Sequence, residues 1–244
     1  MNGAKILTCA VAVLLSALGA LAAARVAKAG DQKMIVDPSA REVRISAEVT
    51  KDPSKPGISD WGKRGAAWFG CEGGKAQAFF VFTTRVDRAA IDKALREIGL
   101  TSRRQIGDKE YKAHTGLRPE TKAEDYLDGD PLVIGVRFQK DGKLVERALE
   151  DFISEKILVQ GKEVVKPYTP HWIYHGTAEA VAYPSGCVSC PEDCWGGLVA
   201  DNSVPVLTTD RWYKVDWAKM PPVGSKVELV FRSIYGPDPL STLR

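Results

Sequence analysis

From residue 41 to 49 the chain alternates, with Val43, Ile45, Ala47 and Val49 apolar and most of the residues between them polar. A period of two marks a half-buried strand. Residues 52–60 are rich in Pro, Gly and Ser and read as a loop. Residues 66–71 begin another extended segment, broken at Gly73-Gly74, and residues 75–83, with Phe79, Phe80, Val81 and Phe82, read as a buried strand. The period then changes. Over residues 87–99, Ala90, Ile91, Leu95 and Ile98 fall at helical spacing, and Gly99 follows the last turn as a C-cap. Residues 101–130 are polar without a period and read as a surface excursion. Alternation returns at Leu132, Ile134, Val136 and Phe138, and Lys140-Asp141-Gly142-Lys143 is a hairpin turn into residues 144–149. Residues 151–156 suit one helical turn, and a second hairpin over 156–165 turns at Gln160-Gly161. Residues 171–175 read as a strand, 179–183 as its returning partner and 226–231 as the last strand. This pattern predicts a single α+β domain over residues 41–235, mostly antiparallel β, with one principal helix at about 87–99. Residues 236–244 read as a flexible tail.

The first 29 residues follow a different rule. Lys5 precedes an uncharged run over residues 6–24, and Ala27 and Ala29 have the small-x-small spacing that signal peptidase reads. Residues 1–29 are therefore expected to be a signal peptide, residues 30–40 a linker, and the protein periplasmic or otherwise extracytoplasmic. The uncharged run is also just long enough to span a bilayer, so membrane attachment is expected if it is not cleaved. Cys9 lies inside the run and not at its end, which argues against a lipoprotein.

The formal net charge is +3, and Lys5, Arg25 and Lys28 of the leading segment account for it without any acid beside them. The remainder is neutral, with both signs intermixed and no basic stripe, which excludes a nucleic-acid partner. Gly-rich phosphate loops and nucleophile–base signatures are absent, so the sequence leans away from catalysis without deciding it.

The distinctive chemistry is Cys187-x2-Cys190-x3-Cys194, inside a Pro- and Gly-rich stretch over residues 184–197. A C-x2-C turn points two sulfurs to one side, as zinc and iron–sulfur sites require. Cys194 offers a third ligand, and Cys71, before a Gly-Gly turn, is the candidate fourth. Thiolate ligation needs reduced sulfur, whereas export favours disulfides, so two disulfides are the competing fate and a dithiol exchanger using Cys187 and Cys190 the third. His171 and His175 lie four apart on a strand, too far to share an ion. Paired against 179–183, His171 would lie near the cysteine stretch and is a substitute ligand.

Several segments together carry a resemblance. Cys71-Glu72-Gly73-Gly74-Lys75 runs into Phe79-Phe80-Val81, and the helix ends Ala94-Leu95-Arg96-Glu97-Ile98-Gly99. Pro131-Leu132-Val133-Ile134-Gly135-Val136-Arg137-Phe138 precedes an Asp-Gly hairpin. His171-Trp172-Ile173-Tyr174-His175-Gly176 and Pro221-Pro222-Val223-Gly224-Ser225-Lys226-Val227 follow. This series resembles the YdjY-like family of exported bacterial proteins over about residues 43–232. The family has no defined activity; some members are described as iron–sulfur or ferredoxin-like because of a similar cysteine cluster, and others lack it. The resemblance implies an accessory protein holding an iron–sulfur cluster, or zinc instead, on Cys71, Cys187, Cys190 and Cys194, with electron transfer to an envelope redox partner. The alternatives are a disulfide-stapled, non-catalytic module binding an envelope component, with no cofactor, and a thiol–disulfide exchange protein.

Overall fold

The computed structural model describes residues 25–29, 32–50, 68–104, 128–176, 178–194, 196–203 and 211–235. Among these, the strands are β1 (Arg25–Ala29), β2 (Gln32–Asp37), β3 (Glu42–Val49), β4 (Phe69–Cys71) and β5 (Phe82–Thr84). Then come β6 (Ser102–Arg104), β7 (Asp128–Lys140), β8 (Lys143–Ala148), β9 (Ile153–Val159) and β10 (Lys162–Pro167). The last are β11 (Trp172–Tyr174), β12 (Cys187–Cys190), β13 (Val199–Asp201), β14 (Arg211–Val215) and β15 (Lys226–Ser233). The α-helices are α1 (Arg88–Glu97) and α2 (Ala178–Ala182).

Eight strands close on themselves in the order β3-β15-β7-β11-β13-β12-β4-β5, with β5 returning to β3. Closure works because one edge of β3 is shared along its length. Met34 to Asp37 of β2 pair with Ile45 to Glu42, while Glu48 and Val49 take Thr83 and Phe82 of β5. The pairs β12–β13 and β4–β5 are parallel, and the other barrel pairs are antiparallel. Alternation on β3 sends Val43, Ile45, Ala47 and Val49 inward, and Val227, Leu229 and Phe231 of β15 do the same. Trp68, Phe69, Phe82 and Tyr168 fill the same core, where Trp68 meets Tyr213 edge to face at 5.8 Å.

The expected α+β domain with a principal helix is therefore corrected to a mostly β fold built on a closed eight-stranded barrel. Helix α1 exists as read, capped by Asp87 accepting from Ala90 N at 3.1 Å and ended by Gly99 at φ +84°. It contributes one apolar face, Ile91, Ala94 and Leu95, to a core that the strands enclose.

Two local readings also change. Residues 75–83 are a turn and a 3-10 helix (Gln77–Phe79) before a short strand, since Gly74 leads the chain into a turn that lays it against residues 184–186. Residues 178–182 form α2 and not a returning strand; β11 finds its partners in β7 and β13. The β9–β10 hairpin is as read, with Gln160 and Gly161 both at positive φ, and joins β14 in a separate three-stranded sheet. β1 and β2 run through stretches read as signal segment and linker, while residues 1–24 and 236–244 lie outside the described residues.

Candidate functional site

The four cysteines of the barrel region come from two neighbouring strands and the loop after them. Cys71 ends β4, and its N–H donates to Gly186 O at 2.9 Å, just before Cys187 opens β12. The turn after β4 is laid on the same loop: Lys75 N donates to Pro184 O at 2.9 Å and Ala76 N to Ser185 O at 3.0 Å. Gly74 makes this approach feasible, because a Cβ there would stand 2.4 Å from Ser185 O. Along β12 the register slips between Cys187, opposite Gly70, and Ser189, opposite Phe69. Such a bulge re-aims side chains, and Cys187, Val188 and Ser189 are all buried in succession. Cys187 packs under Phe80. The chain then bends through Pro191, whose carbonyl accepts from Tyr213 Oη at 3.1 Å, and through buried Glu192 and Asp193 to half-buried Cys194.

The Cys190 thiol donates a hydrogen bond to Cys194, and this bond, ahead of burial, pushes its pKa well up. Cys71 Sγ donates to Val86 O at 3.3 Å. Burial pushes the Cys71 and Cys187 thiols up to about 12, against a smaller opposing pull from the Arg88 cation. Cys187 lies within electrostatic reach of Cys71, Cys190 and Cys194. All four are free thiols, and those of Cys71, Cys187 and Cys190 are protonated at neutral pH.

Arg88 organises this arrangement, although no motif in the sequence singles it out. It is the first residue of α1, 6 % exposed, and its guanidinium donates to Ala180 O, Val181 O and Tyr183 O of the α2 segment. It also reaches Cys187 O at 3.2 Å, Gly196 O at 3.0 Å and Ser185 Oγ at 3.4 Å. Every one of these acceptors is a neutral oxygen. Burial lowers its pKa, and the neighbouring Cys71 and Cys187 sulfurs, followed by Asp87 and Asp92, oppose the shift. One signal was available: a cation at a helix N-terminus opposes the helix dipole, so its presence there calls for a tertiary partner.

His171 is not brought to the cysteines as a ligand. Its backbone N–H donates to Asp201 Oδ1 at 3.0 Å and its Nδ1 engages Asn202 Oδ1 at 2.6 Å, because β11 pairs with β13 and not with residues 179–183. A four-thiolate iron–sulfur or zinc centre suits the chemistry of the donor set but not its arrangement. Among the described residues no three His, Cys, Asp or Glu side chains stand where one ion could take them.

Fold and site together define a closed β-barrel whose wall carries a cluster of thiols beside a buried arginine. The YdjY domain matches residues 34–232, and the chain belongs to that family. No curated protein and no solved structure matches the chain.

Proposed function

We propose that this is an exported, non-catalytic YdjY-domain module that binds an envelope component, and that Cys190 and Cys194 close as a disulfide staple across its cysteine loop. The observation that supports the staple is the tight bend between the two cysteines, with Pro191, Glu192 and Asp193 buried and Tyr213 Oη donating to the Pro191 carbonyl at 3.1 Å. Closing the bond removes two protons and two electrons, which an oxidised dithiol carrier of the compartment accepts as it becomes a dithiol. The loop enclosed is short, so by the chain-entropy relation the bond stabilises the fold by about 2 kcal/mol. It fixes the loop more than the barrel. Catalytic thiol exchange fits less well, since exchange needs a thiolate, whereas burial raises the Cys187 pKa and hydrogen bonding to Cys194, ahead of burial, raises that of Cys190.

A second reading, a four-thiolate iron–sulfur or zinc centre, is favoured by Arg88. A buried cation bonded only to neutral oxygens, beside Cys71 and Cys187, would be balanced by ionised sulfur. The two readings separate in protein taken from its native compartment. A free-thiol count is run beside iron, zinc and acid-labile sulfide analysis. Loss of the Cys190 and Cys194 thiols without metal supports the staple; stoichiometric metal with no Cys190–Cys194 cross-link overturns it.

A further inference from the structure

On the outer face of the barrel, β2 and β5 share one edge of β3 and part from each other midway along it. β2 pairs as far as Ile45 and β5 begins at Glu48, so Ser46 and Ala47 lie in a notch between them. The notch opens into a cleft of about 640 Å³. Lys33 of β2, Arg44 of β3, Arg85 just after β5, Arg137 of β7 and Lys226 of β15 all line it. Among the described lining residues Glu228 is the one acid. We propose that this cleft binds a phosphate group, free or esterified to a small molecule. The proposal rests on the reading of this chain as a binding module and names the chemistry of what it binds.

The five cations are far apart in the chain, so no basic run marks them in sequence; the barrel assembles them. Alternation on β3 turns Val43 and Ile45 inward, and Arg44 and Ser46 therefore outward. Register sets Glu228 opposite both Ser46 and Arg137. The acids that steady the other cations stand outside the lining. Glu72 takes Arg85 Nε at 3.0 Å, Glu146 takes Arg137 Nη2 at 2.8 Å, and Glu48 holds Lys226. Positive charge is thus concentrated in the cleft. Two of its cations have bonding capacity to spare. Arg44 Nε is buried 3.1 Å from Glu42 Oε1 yet makes no hydrogen bond among the described residues, and Glu42 is already held by Arg232. Lys33 is exposed and has no acid partner among the described residues. A carboxylate offers two oxygens in one plane, whereas a phosphate offers three around a tetrahedron, which suits donors arriving from several strands. The cleft exceeds the bare ion in size, and exposed Leu144 gives it an apolar rim for a group that carries the phosphate.

The test titrates the full chain at low salt with glycerol 3-phosphate and, separately, with inorganic phosphate, followed by calorimetry. One site per chain is expected, weakened by added sodium chloride because the cations are partly exposed. Arg44→Gln and Arg85→Gln are each expected to weaken binding about tenfold, the worth of one charge-assisted hydrogen bond. Arg103→Gln is expected to leave it unchanged, since that side chain pairs with Asp128 and Asp130 outside the cleft. Circular dichroism checks that each variant is folded. In the unmutated chain the bound ion should shield Lys33 from acetylation, which answers the question even if a variant misfolds. Equal affinity for the two probes assigns the site to free phosphate and tighter glycerol 3-phosphate to an ester; either supports the proposal. No saturable binding, binding that both cleft variants leave intact, an unshielded Lys33, or uptake by phosphatidylglycerol vesicles with neither small probe bound overturns it. A chain that carries the Cys190–Cys194 cross-link yet takes no phosphate refutes this inference alone; one that takes phosphate with both thiols free refutes the staple alone.

Discussion

Arg88 donates a hydrogen bond at 3.0 Å to the carbonyl of Gly196, a residue 108 positions further along the chain. The same guanidinium holds carbonyls of the α2 segment and of Cys187, so one side chain gathers three stretches of backbone around the thiols. Replacing it leaves several buried carbonyls without a donor, each a loss typical of bonds to a charged group. Arg88→Met is expected to lower the unfolding free energy by about 3 kcal/mol or more. Arg88→Lys should recover only part, having three donors on a point charge in place of a five-donor fork. Urea denaturation of both variants reads this; a Lys variant as stable as the original would show that charge alone matters.

Gly74 tests the fit between the early turn and the cysteine loop. An alanine Cβ there would meet Ser185 O at 2.4 Å and Gly186 Cα at 2.6 Å, both backbone atoms that cannot rotate away. Gly74→Ala should part the turn from the loop and speed alkylation of Cys71 and Cys187. Gly73→Ala is the comparison, because its Cβ meets nothing within 4 Å and only the φ of +80° is unfavourable. That strain costs about 1 kcal/mol and should leave thiol reactivity unchanged. Equal alkylation rates in the two variants would contradict the close approach.

Acid stability should report on Glu146, outside the barrel wall. Arg232 and Arg137 both donate to its carboxylate, at 3.0 Å from Arg232 Nη2 and 2.8 Å from Arg137 Nη2. The hydrogen bonds from Arg232, with those from Arg137 and against burial, hold its pKa at about 2 in place of an ordinary 4.5. A depressed carboxyl stabilises the fold above its unfolded pKa, and that contribution is lost as pH falls through the folded value. Denaturation midpoints should therefore fall between about pH 4.5 and 2, and Glu146→Gln should flatten that part of the profile. An unchanged slope in the variant would assign the acid sensitivity elsewhere.

Asp201 is a buried carboxylate satisfied locally. It accepts from Tyr168 Oη at 2.9 Å, His171 N and Ser203 N at 3.0 Å, and Ser203 Oγ at 2.6 Å. Tyr168→Phe removes one of these bonds while keeping the aromatic packing on Trp68 and Tyr213. Thermal or urea unfolding should show a loss of about 1.5–3 kcal/mol, the range for a bond to a charged group. No measurable loss would mean that the remaining donors suffice.

Where side chains alternate or follow a helical period, the sequence was readable. Val43 to Val49, Leu132 to Phe138 and the α1 stripe of Ile91, Ala94 and Leu95 lie buried as their periods require. The Gln160-Gly161 turn carried its own chemistry. Closure of the barrel was not readable, because it depends on β4, β5, β11 and β13, each three residues long and buried throughout or nearly so, too short to show a period. Residues 179–183 had no such excuse: Ala178, Ala180 and Ala182 alternate with Glu179 and Val181 in a way that suits helix and strand alike. The meeting of Cys71 with the late loop was legible from the Gly-Gly turn after it. The course of the chain from Cys187 to Cys194 was not. It depends on the β12 register shift against β4 and on the bend at Pro191 held by Tyr213.

The most direct measurement is peptide mapping of the protein purified from its native compartment under acid quench, without reductant. A cross-linked peptide joining Cys190 to Cys194, reducible to two free thiols, is the predicted result. Cross-links that instead join Cys187 to Cys190, or Cys71 to Cys194, would contradict the sulfur pairing on which the functional reading stands.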